Sequence, residues 1–188
     1  MPSLPVLEMR KVWTREEAHA LVDLGFPNAE KLELIDGDLI DHMGKKHAHN
    51  YWQNLIRIWL EKQFGAEYVQ VEPSIYVSAD DNLRSEPEPD LIVTAQSIRA
   101  YQDNATPPEI RLLIEVADSS LPLDLGVKAL LYARAAIVEY WVIAIPDRLL
   151  HVHRNPAAGV FASIIQYGFD AQIAPLAKPD APFCLNRL

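Results

Sequence analysis

Apolar positions along this chain follow two periods, and the change from one to the other marks out the elements. Thr14-Arg15-Glu16-Glu17 has the form of a capping box and predicts a first helix from about Arg15 to Leu24, stopped by Gly25. Lys31–Ile35 and Asp38–Asp41 flank Asp36-Gly37, a dipeptide suited to the positive φ angles of a type I′ turn, so a β-hairpin is expected with Glu33 opposite Ile40. Trp52, Leu55, Ile56, Trp59, Leu60 and Phe64 recur at helical spacing, which predicts a helix from about His47 to Phe64 with that stripe facing the core. Tyr68–Val71 and Ser74–Ser78 read as one strand interrupted at Pro73. Glu88–Val93 reads as a strand entered through Pro89, and Ile110–Ala117 as a strand buried on both faces. Asp118-Ser119-Ser120 precedes a helix over Leu123–Ala135 that is broken at Gly126. Glu139–Ile145 is a further buried strand, and Leu149–Arg154 and Val160–Tyr167 complete the set. His151 and His153 share one face of a half-exposed strand, where a surface role is expected.

The helix between the Ile110 and Glu139 strands is long enough for a parallel βαβ crossover. The expected fold class is therefore α/β: a mixed β-sheet flanked by helices, with an N-terminal helix and a β-hairpin. The 188 residues suit a single domain spanning 1–188, and neither a linker nor an internal repeat divides it.

Composition narrows the partners. Seventeen Lys and Arg against 26 Asp and Glu give a net charge of −9, which argues against a broad DNA-coating surface. A local basic edge from Arg10, Lys11, Lys45, Lys46, Arg57 and Lys62 still offers a place for a nucleic-acid backbone. No apolar run approaches the ~18 residues of a membrane span, so no membrane partner is expected. One cysteine, Cys184, cannot form an internal disulfide, and a cytoplasmic protein with a buried, inert thiol is expected.

The candidate chemistry lies in three charged residues: Asp90 at the mouth of one strand, Glu115 inside the apolar run of another, and Lys128 on the following helix. A carboxylate at Glu115 has to be paired or metal-bound, because burying an isolated charge is costly. Such a set can hold a divalent metal and direct attack on a phosphodiester. Singly, each residue reads as structural, and Asp124 with Lys128 also fits an ordinary i,i+4 ion pair. Glu33 either faces a cavity or points outward from a strand edge. His42, His47 and His49 match no zinc spacing, and His49 alone lies near the helix's buried face.

Glu88-Pro89-Asp90, Leu112–Ser120, Asp124 with Lys128, Tyr132-Ala133 and Glu139–Ile143, with Glu33–Asp38, Met43 and His49 upstream, together resemble the Uma-type family of bacterial restriction-endonuclease-like proteins. That family belongs to the PD-(D/E)XK nuclease superfamily, and the likeness covers roughly residues 31–154. It implies that Asp90 and Glu115 bind Mg²⁺, with Mn²⁺ as substitute, and that Lys128 positions or deprotonates the attacking water. It also implies that Glu33 adds an acidic contact from the hairpin and that His49 helps hold substrate or water. The superfamily's usual lysine, two residues after Glu115, is Ala117 here, and Lys128 takes its place. The glycine often found before the Glu-Tyr-Trp strand is absent, Ala135-Ala136 standing there. The resemblance leads to a metal-dependent endonuclease acting on DNA, as a homo-oligomer, expected to be a dimer. A catalytically silent relative serving as a binding or assembly module is the alternative, and a hydrolase of smaller phosphate esters is a third reading.

Overall fold

In the computed structural model, which describes residues 10–41 and 47–188, a six-stranded mixed sheet carries helices on both faces. His42, Met43, Lys45 and Lys46 lie outside the described residues. Helix α1 (Arg15–Asp23) starts at Thr14 with the full capping box, Thr14 and Glu17 each accepting from the other's backbone N–H. It is followed by the hairpin β1 (Leu32–Ile35) and β2 (Asp38–Asp41), in which Glu33 sits opposite Ile40. Asp36 and Gly37 both have positive φ, as the turn demands. A side chain at Gly37 would run into Val12 and the Trp13 backbone.

Helix α2 (His47–Phe64) precedes β3 (Val69–Val71), β4 (Leu91–Thr94) and β5 (Ile110–Ala117). A helical run then crosses to β6 (Glu139–Ala144), and the long hairpin β7 (Leu149–Ala157) and β8 (Val160–Gly168) closes the sheet in the order β3-β4-β5-β6-β7-β8. Among the described strands only β5 and β6 pair in parallel, joined by that helical crossover.

Each face of the sheet has its own core. On one, Ile56 and Leu60 of α2 pack on Leu91, Val93, Leu112, Ile114, Trp141 and Ile143, with Trp52, Trp59 and Phe64 at the rim. On the other, Leu131, Tyr132 and Ala133 pack on Ile92, Leu113, Ala117, Tyr140 and Val142, together with Ile35 of the hairpin. Asp90 and Glu115 occur at alternate positions with Ile92 and Leu113, so they belong to this second face.

Two expectations are corrected. Ser74–Ser78 is not a strand: Ile75 makes one isolated bridge to Ala105, and the Val77 N–H is taken by Asn82 Oδ1. The crossover helix does break at Gly126, whose φ −101° and ψ −105° are non-helical; around it lie α3 (Leu121–Leu123), a π-helical turn (Asp124–Lys128) and α4 (Ala129–Arg134). His151 and His153 are buried, because β7 is covered from that side: the His153 ring lies 5.2 Å from that of Tyr140 and 5.5 Å from that of Phe161.

Candidate active site

The Glu88-Pro89-Asp90 entry to β4 is held from two sides. Pro87 and Pro89 contribute no N–H, and the N–H between them, on Glu88, donates to Glu33 Oε1 at 2.8 Å. The carbonyl of Asp90 accepts from the Glu72 N–H at 3.1 Å and from Gln53 Nε2 at 3.3 Å. Asp90 and Glu115 are then interlocked across the β4–β5 ladder. The Asp90 N–H donates to Glu115 Oε2 at 3.2 Å, and the Val116 N–H donates to Asp90 Oδ2 at 2.7 Å.

Lys128 enters from the π-helical turn above this pair. Its Nζ lies 2.9 Å from Glu33 Oε1 and 3.0 Å from Glu115 Oε1, and the Tyr132 hydroxyl, one helical turn on, donates to the same Glu115 oxygen at 3.1 Å. His49, in the first turn of α2, brings Nε2 to 3.1 Å from Asp90 Oδ2. Asp124 accepts from Ser120 Oγ at 2.6 Å, and its carbonyl accepts from the Tyr140 hydroxyl. Glu33, Asp90, Glu115, Asp124, Lys128 and His49 are each between 1% and 7% exposed. The structure thus gathers Glu33, Asp90, Glu115, Lys128 and His49 around one point, and Glu33 faces inward, not out from the hairpin edge.

Burial alone would lower the pKa of Lys128, but Glu115, Glu33 and Asp124 outweigh it and hold the ammonium above the ordinary lysine value. His49 directs its Nε2 to Asp90 Oδ2. The basic edge is also less available than its residues suggest: Arg10 pairs with Asp38, Lys11 with Glu17 and Arg57 with Glu61.

Tyr132 and Asp124 were not assigned roles from the sequence. Tyr132 follows Lys128 by four residues, a spacing that puts both on one helical face and that would have flagged it. Burial raises the Glu115 pKa well above the carboxylate range; Lys128 draws it back, and Asp90, Asp124 and Glu33 push it further up. Asp124 is raised to about 6, burial again being the main cause. Four carboxylates face one ammonium, and this excess of negative charge favours any bound cation.

The donor set fits Mg²⁺. Among the described residues no three His, Cys, Asp or Glu side chains are grouped as a metal cage. Mg²⁺ does not need one, since it commonly takes one or two carboxylates and completes its shell with water and substrate phosphate. The interlocked pair Asp90 and Glu115, embedded in surplus negative charge, has that chemistry.

A mixed sheet with an acidic strand pair at its centre, covered by a lysine-bearing helix, defines a restriction-endonuclease-like nuclease fold. A crystal structure described as a putative nuclease belonging to DUF820, from Anabaena variabilis ATCC 29413, has the same fold, with a TM-score of 0.69 over 92% of this chain and 95% of that one at 14% identity. No curated protein matches the sequence. The family model Uma2, described as "Putative restriction endonuclease", matches residues 15–177, and the chain belongs to that family.

Proposed function

We propose that the protein is a Mg²⁺-dependent endonuclease that hydrolyses DNA phosphodiester bonds, working in the cytoplasm. The observation that carries this reading is the Lys128 ammonium held between Glu33 and Glu115, with Asp90 locked to Glu115 through the backbone. Asp90 and Glu115 would hold the ion. When bound, Mg²⁺ supplies Lewis-acid activation of the phosphate and a lowered pKa for a coordinated water. Lys128 orients the nucleophile by hydrogen bonding and offsets charge developing on the phosphoryl oxygens. Glu33, anchored by the Glu88 N–H, fixes where that ammonium sits. Tyr132 holds Glu115 in one rotamer, and His49 does the same for Asp90. The buried free thiol of Cys184 supports the cytoplasmic assignment.

A binding or assembly module is the second reading, favoured by the net charge of −9 and by the carboxylate partners of Arg10, Lys11 and Arg57. Calorimetric titration with Mg²⁺ and Mn²⁺, followed by nicking of supercoiled plasmid, separates the two. Metal-dependent nicking that disappears in Asp90→Asn and Glu115→Gln is the expected result. Metal binding without nicking would favour the module.

A further inference from the structure

Helix α2 reaches Asp90 at two points. His49 and Gln53 are four residues apart, so they stand one above the other on the face of α2 turned to the sheet. His49 Nε2 lies 3.1 Å from the Asp90 carboxylate, and Gln53 Nε2 donates to the Asp90 carbonyl at 3.3 Å. Gln53 interrupts the apolar stripe that Ile56 and Leu60 continue, and it is 7% exposed. A buried amide in such a place needs hydrogen-bond partners. Its Nε2 finds a second one in Glu72 Oε1 at 3.0 Å. Both groups beside that nitrogen are acceptors, which orients the amide with its NH2 toward them.

Glu72 completes the arrangement from β3. It follows Val71, which pairs with Leu91, and precedes Pro73, whose nitrogen has no hydrogen to donate, so the β3–β4 ladder ends here. Glu72 takes φ +51°, left-handed backbone that is unfavourable for a residue with a side chain, and its N–H meets the Asp90 carbonyl at 3.1 Å. The Asp90 carbonyl thus receives two donors, while the Asp90 N–H donates to Glu115. With the main chain of Asp90 held on both sides, only its side-chain torsions are left to set, and His49 and the Val116 N–H restrain those. The geometry points to Gln53 as a positioning residue: it fixes the main chain of Asp90 so that the carboxylate is presented to a divalent cation in one orientation. This role rests on the Mg²⁺ site proposed for Asp90 and Glu115. Gln53 acts through Asp90, and Glu72 holds the Gln53 amide in place.

Calorimetric titration of the full chain with Mg²⁺ tests this, with circular dichroism to confirm that each variant is folded. Gln53→Leu keeps a side chain of similar size on the core face of α2 and removes the amide. It is expected to weaken Mg²⁺ binding about 10–100-fold, as loss of a partner that orients a metal ligand does. Ile56→Val loosens the same helix by one methyl group without removing a hydrogen bond, and is expected to leave Mg²⁺ affinity unchanged. Glu72→Gly is the second variant, should Gln53→Leu not fold. Its side chain is exposed and glycine accepts the left-handed backbone, so the fold is kept while the Gln53 amide loses its anchor. Weaker Mg²⁺ binding is expected there too. Hydrogen exchange without metal gives a further measure: the Val116 amide, which donates to Asp90 Oδ2, should exchange faster in Gln53→Leu relative to that of Ile114 in the same strand. In the plasmid assay the Mg²⁺ concentration for half-maximal nicking should rise, with the rate at saturating metal close to that of the wild type. Mg²⁺ binding by Gln53→Leu as tight as in the wild type overturns the inference and leaves the endonuclease reading standing. An equal loss in Ile56→Val overturns it as well, by reducing Gln53 to a packing role. A wild type that binds no Mg²⁺ overturns the endonuclease reading and this inference together.

Discussion

Lys128 illustrates how far a residue's role depends on its neighbours. In water a lysine and a glutamate gain little from pairing. Here the ammonium and both its partners are buried, so removing it strands two carboxylates away from solvent. Lys128→Met is therefore expected to destabilise the protein by about 3–5 kcal/mol near neutral pH. Urea unfolding in the presence of a chelator measures this, and adding Glu33→Gln should recover part of the loss, because the two sites share one contact. A Lys128→Met variant as stable as the wild type would mean that the three groups do not meet. Loss of nicking in this variant consequently needs a stability control before it is assigned to chemistry.

Ala136 marks the end of the crossover helix. The Ala136 N–H donates to the Ala133 carbonyl and the Ile137 N–H to the Tyr132 carbonyl, a Schellman ending that requires Ala136 at φ +59°. Glycine suits that conformation better, and Ala136 is exposed, so its methyl group contributes no core packing. Ala136→Gly is expected to raise stability by about 1 kcal/mol, seen as a shift in the denaturant midpoint at constant slope. Missing family glycine and retained geometry are thus compatible. This element also shows what could be read from the chain. The capping box, the Asp36-Gly37 turn and the α2 stripe were legible because each depends on residues close in sequence. The Ser74–Ser78 segment was misread because its donors are taken by Asn82 and by the Pro87 carbonyl, partners that alternation does not reveal. The burial of His151 and His153 was hidden for a similar reason: a strand's pattern does not say whether a second layer covers it. Asp90, Glu115 and Lys128 stood out as charges in apolar surroundings. That Glu33 meets Lys128, 95 positions later, only folding could reveal.

At the level of the whole molecule, the buried acids tie stability to pH. Folded Asp124 keeps its proton up to about pH 6, whereas the unfolded chain releases it near 3.8. This raised value gives stability that is fully present below the unfolded pKa and lost as pH rises through the folded one. Asp124→Asn removes that loss, so the variant should gain on the wild type as pH increases from about 4 to about 6. Denaturant midpoints of the two proteins, taken across this range with chelator present, test the sign. A difference that stays constant with pH would place Asp124 outside the charge cluster.

The parallel β5–β6 pair has one more consequence. The chain leaving Glu115 cannot return to lie alongside its own strand without passing through the segment that bears Lys128. The connection that makes the sheet parallel here therefore also supplies the counter-ion of the acid it leaves behind.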